Sequence, residues 1–449
     1  MNKKLSLALL FFLPSILPAS VQTDSCWTLK SCIDYALQHN IQLQKARLSS
    51  QSAEVDVKEA RAGLLPTLSA NVSQNVQYRP FQDQAGNFVN GSIASSSNNK
   101  VSQTGSYGIN ANWVVWNGGK NRANLTDKGY SKEISELNAE QTANSIQEQI
   151  AQLYVQILYS EEALKVNRKL LEADRQLLAR GEEMLAAGQT AKSDVAQLAA
   201  QVSSGEYDVV NAATQISQYK LQLKQLLELP GEDEITISPV TATDEAVLVP
   251  VPVLAEVYQA ALALRPEIKS GEISVAQSDL SVKSARSSRF PTVSLTAGLG
   301  DSHMTGTRNN YFTQMKNNFN GTLGVSLSVP IFDGRSAKSA IERAQISQLT
   351  TRLDLQDTRK QLYSQIETYH RNAVNYQAQY RASLSSVRSY EASYDLMSEQ
   401  FRLGSSNIAE LLNSRSQLLT AKQQLLENKY TTLLNLTLLN FYRGESLSI

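Results

Sequence analysis

The chain has 449 residues, enough for two or three domains, and its 42 lysine and arginine residues balance 42 aspartate and glutamate residues. A net charge of zero argues against a nucleic-acid-binding protein, because such proteins carry a strongly basic surface. Charged residues make up only 19% of the chain, so uncharged polar side chains must cover much of its surface.

The first twenty residues have the pattern of a secretory signal. Lys3 and Lys4 precede a mostly apolar run at 5–17, and the small residues Ala19 and Ser20 follow it. Because the run is too short to span a bilayer as a helix, we predict a signal peptide at 1–20 rather than an uncleaved anchor or a buried helix. Export from the cytoplasm is therefore expected.

Two cysteines, Cys26 and Cys32, follow this signal. In an oxidising compartment they could form a disulfide that closes a small loop. Two alternatives stay open at this point, which are free thiols and lipidation of Cys26.

The chain contains an internal repeat. Pro-Thr-Leu-Ser at 66–69 recurs as Pro-Thr-Val-Ser at 291–294, and Trp-Asn-Gly at 116–118 recurs as Phe-Asp-Gly at 332–334. The first repeat, 21–229, is predicted to contain a helix (28–65), strands (67–79 and 105–117), a long helix (120–187) and a return helix (190–229). The second repeat, 253–449, is predicted to contain a helix (253–290), strands (292–300 and 321–333), a long helix (335–402) and a return helix (405–443). Residues 230–252 form either a linker or a small mixed α/β belt around the middle of the helices.

Two periodicities distinguish the strands from the helices. Residues 67–77 and 292–299 alternate between polar and apolar side chains, which is typical of half-buried strands. The long helices carry apolar residues at every seventh position, from Ile150 to Leu185 and again from Ile366 to Phe401, which indicates coiled-coil packing. Such a helix is roughly 100 Å long, whereas the bilayer core is about 30 Å thick. Most of each helix must therefore lie outside the membrane.

The four predicted strands have the length of outer-membrane β-strands but cannot close a barrel alone. Because open sheet edges are not tolerated in lipid, several chains must share one barrel. Two chains would give a filled barrel, and three would give twelve strands with room for a pore. The predicted fold class is therefore an α+β membrane protein with long antiparallel coiled-coil helices.

The ordered set of duplicated motifs resembles the TolC family of outer-membrane efflux proteins. The matching segments are 64–68, 116–119, 331–335 and 401–412, and the resemblance covers residues 27–443. It implies a homotrimer with a twelve-stranded barrel on a helical tunnel, in the outer membrane of a Gram-negative bacterium and extending into the periplasm. It also implies a periplasmic adaptor protein and an inner-membrane pump or ABC exporter as partners. The cargo, whether drugs, metals or proteins, stays open.

The resemblance further implies a gate at the helix turns farthest from the barrel. Glu410 matches the first acidic position of the gate, whereas Asn413 stands where a second acid would be. Phe401 and Ser406 replace a tyrosine and an arginine, and Ser193 and Asp194 match the partners of those two residues. Gly188 and Gly404 mark the turns, which are expected to contact the adaptor. A simpler interpretation of Asp194 and Glu410 is that each acid complements the dipole at a helix N-terminus.

Enzymatic activity finds no support in the sequence. His39, His303 and His370 are scattered without metal-binding spacing, and the chain has neither a phosphate-binding loop nor a nucleophile elbow. We therefore expect no cofactor, and the energy for transport must come from a partner. A periplasmic coiled-coil scaffold or adaptor without a barrel is the alternative, but it would not explain two matched hairpins.

Overall fold

The computed structural model describes residues 26–78, 80, 87–89, 92–94, 100–229, 231, 235–239, 243–305 and 309–448. The predicted signal peptide at 1–20 lies outside these residues. None of the helices in the described part of the chain has an apolar stretch long enough to cross a membrane.

The described elements follow the order of the repeat. The first repeat comprises α1 (Leu29–His39), α2 (Ile41–Ala62), β1 (Thr67–Tyr78), β2 (Asn87–Val89), β3 (Ser92–Ala94), β4 (Val101–Trp116), α3 (Lys120–Ala186) and α4 (Lys192–Leu227). The remaining elements are α5 (Asp244–Val247), α6 (Leu254–Leu264), α7 (Pro266–Ser287), β5 (Thr292–Met304), α8 (Tyr311–Asn318), β6 (Asn320–Ser328), α9 (Ser336–Arg402) and α10 (Ile408–Tyr442). The long helices α3 and α9 each contain 67 residues, which corresponds to roughly 100 Å.

The first helix of each repeat is divided in two, so the predicted single helices at 28–65 and 253–290 are wrong. In the first repeat, the Asn40 side chain accepts hydrogen bonds from the backbone N–H groups of Gln42 and Leu43 and thereby caps α2. In the second repeat, α7 begins at Pro266, and the preceding Arg265 has an extended backbone. Proline favours this conformation in the residue before it, which ends α6.

Four strands form one antiparallel sheet in the order β1-β4-β5-β6. The register places Leu68, Ala111, Ala297 and Leu323 side by side on one face. The adjacent row on the other face contains Ser69, Asn110, Gly298 and Thr322. One face of the sheet is therefore apolar and the other polar, and β1 and β6 are the edge strands.

The last strand is shorter than predicted, because β6 ends at Ser328 instead of 333. Pro330 follows shortly after, and proline lacks the N–H group that a continuing ladder requires. In contrast, β5 continues past the predicted end at 300 as far as Met304, where it still pairs with Thr104 of β4.

The helices pack in two sets of four. Near the sheet, α2 packs on α3, α3 on α7, and α7 on α9. This order repeats that of the strands to which these helices are joined. Toward the other end, α3 pairs with α4 and α9 with α10, and the two pairs meet where α3 contacts α10.

Part of the segment between the repeats packs against the middle of the helices. Trp27 N–H donates to the Thr236 carbonyl at 2.8 Å, and Ser238 N–H donates to the Trp27 carbonyl at 2.9 Å. Ile235 and Ile237 are buried in the same cluster as residues of α1, α3 and α4. The described residues of this segment therefore pack against the helices.

Of the possibilities left open for Cys26 and Cys32, the structure does not form the disulfide, and both cysteines are free. Cys32 lies on the buried face of α1, whereas Cys26 is exposed before the helix begins. Burial raises the pKa of the Cys32 thiol to about 12, so it stays protonated at neutral pH.

Candidate functional site

The two helix turns farthest from the sheet have the same backbone geometry. Gly188 after α3 has a φ of +71°, and Gly404 after α9 has a φ of +72°. The N–H of Gln189 donates to the Met184 carbonyl at 2.8 Å, and that of Ser405 donates to the Gln400 carbonyl at 2.9 Å. Glycine is suited to this left-handed position at a helix C-terminus. Both turns lie at the positions expected from the sequence.

Each return helix has one acidic residue in its first turn. Asp194 of α4 accepts hydrogen bonds from Thr190 Oγ1 at 3.1 Å and from Ser193 Oγ at 3.3 Å. Glu410 of α10 accepts a hydrogen bond from Ser406 Oγ at 3.4 Å. Both carboxylates are therefore placed to complement the helix dipole, whatever further role they have.

A groove of about 480 Å³ separates the two turns and brings five of the predicted residues together. These residues are Gly188, Asp194, Phe401, Gly404 and Ser406. Phe401 is buried in an apolar cluster with Ile408 and Leu411, so its aromatic ring contributes to packing. Glu410 and Asn413 do not line this groove, although Glu410 is hydrogen-bonded to Ser406 at its edge. They lie three residues apart on an exposed part of α10.

A buried ion pair lies further along the helices and was not predicted from the sequence. Arg415 Nε is 3.1 Å from both carboxylate oxygens of Asp174, and Arg415 Nη2 is 2.7 Å from Oδ2. The side chains of Arg415 and Asp174 are only 7% and 3% exposed. Because Asp174 belongs to α3 and Arg415 to α10, the pair joins the two helix pairs of the chain.

The electrostatics of this pair combine two opposing effects. Burial raises the pKa of Asp174, and the hydrogen bonds and charge of Arg415 oppose this rise. The charge-assisted hydrogen bonds of Arg415 favour the ionised form of the carboxylate. Asp174 could have been found from the sequence. It lies between Leu171 and Leu178 of the seven-residue pattern, at the second position that a coiled coil normally buries, where a charged residue is unusual. Arg415 has no such signal, since only the tertiary structure brings the two residues together.

A family model, known protein sequences and solved structures that are similar to this chain all point to the same kind of protein. A family model described as "Outer membrane efflux protein" matches residues 32–228 and 257–445. The chain is 24% identical to "Outer membrane protein TolC" of Escherichia coli over 418 residues, which cover 88% of this chain and 78% of that protein. It is 27% identical over 184 residues to "Alkaline protease secretion protein AprF" of Pseudomonas aeruginosa, covering 41% and 37% of the two chains. A crystal structure of CusC superposes with a TM-score of 0.80 and 18% identity, covering 93% of this chain and 92% of that one.

Proposed function

This chain belongs to the outer membrane efflux protein family, and from that premise we propose that three copies of it close one twelve-stranded barrel above one helical tunnel. The chain is an outer-membrane channel subunit that extends into the periplasm. Its function is the export of cargo in an efflux or type I secretion system.

The sheet is the observation that carries the proposal. Its apolar face is solvent-exposed in the single chain, with Leu68 75% and Leu323 84% exposed. A sheet face made of exposed apolar residues is suited to contact with lipid, and the opposite polar face is suited to line a water-filled lumen. Strands β1 and β6 have unpaired edges, which lipid does not tolerate. Pairing β1 of one copy with β6 of the next removes every edge, and three copies give an interior wide enough to conduct.

The helices near the sheet support the same closure. Leu48 and Val55 are exposed on α2, opposite the side that packs on α3. Ile346 and Leu353 are exposed on α9, opposite the side that packs on α7. Each pair is spaced by seven residues, as in the seam of a coiled coil. These two stripes are suited to pack against each other between neighbouring copies, which would continue the barrel as a tunnel.

The periplasmic end is the proposed gate and docking site. Three copies of Glu410 would face the pore at the narrow end, and the turns at Gly188 and Gly404 would contact a periplasmic adaptor. An inner-membrane pump or ABC exporter would supply the energy. A scaffold without a barrel is disfavoured, because it would leave the apolar face of the sheet in water.

Purification in detergent followed by native mass spectrometry and planar-bilayer recording tests this proposal. We expect the mass of three chains and ion conductance from the same preparation. A monomeric preparation that conducts no ions would overturn the proposal.

A further inference from the structure

The polar face of the sheet is free of charge. On that face, all described positions of β1, β4, β5 and β6 before the bulge near Trp116 are Ser, Thr, Asn, Gln, Gly, Val or Met. The two titratable residues at the far end of β5, Asp301 and His303, lie on the opposite face, because they pair with Tyr107 and Gly105. If the polar face lines the barrel, the described part of the lumen wall therefore carries no fixed charge.

Glycines on the same face receive the side chains of the neighbouring strands. A Cβ atom added at Gly298 would lie 3.0 Å from Asn110 Oδ1 and 3.0 Å from Thr322 Oγ1. Both residues lie directly opposite Gly298 in the register. The side chains of Asn110 and Thr322 therefore lie across the glycine along the wall instead of projecting from it.

The same arrangement occurs in other rows. A Cβ atom at Gly108 would lie 2.8 Å from Oδ1 of Asn71, its partner across β1 and β4. A Cβ atom at Gly324 would lie 2.9 Å from Oγ1 of Thr296, its partner across β5 and β6. Each of the three strand pairs in the sheet thus combines a polar side chain on one strand with a glycine on the other.

From these observations, and resting on the proposed barrel, we propose that the lumen wall is flattened by its glycines and electrically neutral, so that the barrel passes bulky cargo of either charge. Selection by charge then takes place elsewhere along the conduit. The glycines that receive neighbouring side chains, Gly108, Gly298 and Gly324, determine the usable width of the bore.

Cysteine labelling from the outside of intact cells tests neutrality without depending on the gate. In a Cys26→Ser background, Ser69→Cys places a thiol deep in the lumen and Ser102→Cys places one near the far end of the sheet. Cationic and anionic methanethiosulfonates of similar size are compared at both sites. At Ser69→Cys the ratio of their rates should be close to the ratio for a small free thiol in solution, because a wall without fixed charge neither concentrates nor excludes either reagent and charges at the mouth are screened within about 10 Å. Comparison with Ser102→Cys shows how far charges near the mouth act along the lumen. A ring of fixed charge would change the ratio by roughly tenfold or more, and such a change would overturn the neutral lumen.

Leu68→Cys separates this inference from the proposed barrel. Leu68 precedes Ser69 on the opposite face, so lipid should protect it from the water-soluble reagents. Equal labelling at 68 and 69 would contradict the barrel itself. Labelling at 69 alone, with a strong dependence on the charge of the reagent, would contradict only the neutral wall.

The width of the bore is tested with the Ser69→Cys variant and maleimides coupled to polyethylene glycols of increasing size. Gly298→Leu should displace Asn110 and Thr322 into the lumen and lower the largest size that reacts. Ala297→Leu, its neighbour on the apolar face, is the matched control and should leave that limit unchanged. An unchanged size limit in a folded Gly298→Leu channel would refute the role of the glycine.

Discussion

Asp174 of α3 and Arg415 of α10 form a buried ion pair between the two helix pairs of the chain. The free energy of such a pair depends strongly on both partners being present, because an unpaired buried charge keeps its full desolvation cost. The three short hydrogen bonds between the two residues offset that cost. Ion pairs that are more open to solvent, such as Lys422 with Glu391, contribute much less.

Removing one partner of the buried pair should therefore destabilise the protein strongly. We expect Arg415→Met to lower the free energy of unfolding by about 3–5 kcal/mol, because Asp174 stays buried without its oppositely charged partner and keeps only the hydrogen bond of Gln201. Adding Asp174→Leu to this variant should restore most of the lost stability. Thermal denaturation in detergent measures both effects, and Lys422→Met is the control with little expected change. A double variant that is no more stable than Arg415→Met would contradict this account.

The pH dependence of the Arg415→Met variant follows from the same burial. Burial already raises the pKa of Asp174 in the native protein, and loss of the guanidinium should raise this pKa further. A carboxyl group with a raised pKa in the folded state stabilises that state at low pH and loses this contribution as the pH rises through that pKa. The difference in melting temperature between the variant and the native protein should therefore shrink as the pH falls. A difference independent of pH would show that the carboxyl group is not responsible.

Glu410 and Asn413 allow the proposed gate to be tested in two directions. Three carboxylates at a constriction attract divalent cations, so Glu410→Gln should weaken the block of single-channel conductance by such cations. Asn413→Asp would add a second acidic ring one turn away and should strengthen the block. Planar-bilayer recordings with and without magnesium measure both effects. If neither variant changes the block, Glu410 does not line the pore and serves only the helix dipole.

Among the secondary-structure elements, those with a clear local periodicity could be predicted from the sequence. Alternation predicted the strands, and the seven-residue pattern predicted the long helices α3 and α9. The break in the first helix could not be predicted in this way, because it depends on contacts with a distant part of the chain. Asn40 interrupts the first helix while its side chain donates to the Leu226 carbonyl, 186 residues away. In the candidate site, the two glycine turns were predictable from local sequence, whereas the contact between Asp174 and Arg415 depends on the packing of α3 against α10.

The two faces of β6 should respond differently to a charged side chain. Val325 lies on the apolar face opposite Leu295, and the adjacent Ser326 lies on the polar face opposite Ser294. An arginine facing lipid near the middle of the bilayer costs about 2–4 kcal/mol, so Val325→Arg should sharply reduce the amount of protein in the outer-membrane fraction. Ser326→Arg should leave this amount close to normal, because its side chain faces water. Equal yields for the two variants would contradict the assignment of the faces.

On the scale of the whole molecule, sheet and helices share one order along the wall. The strands follow β1-β4-β5-β6, and the helices joined to them follow α2-α3-α7-α9. Strand β1 and helix α2 therefore lie at one end of this wall, and strand β6 and helix α9 lie at the other end. In the proposed trimer, one surface of each chain pairs with a different surface of the next copy, and such a contact forms a ring when the rotation between copies closes.

The helical part of this contact can be tested separately from the barrel. Val55 is 59% exposed and Leu353 is 63% exposed in the single chain, and both would be buried between copies. In the proposed trimer, Val55→Asp should therefore place a charge in an apolar seam and lower the temperature at which the copies dissociate by several degrees on semi-native gels. Ser49→Asp is the matched control, because this exposed residue of α2 points about 100° away from Leu48 and should not affect the trimer. If Val55→Asp and Ser49→Asp dissociate at the same temperature, the stripes on α2 and α9 do not meet, and the copies are joined by the barrel alone.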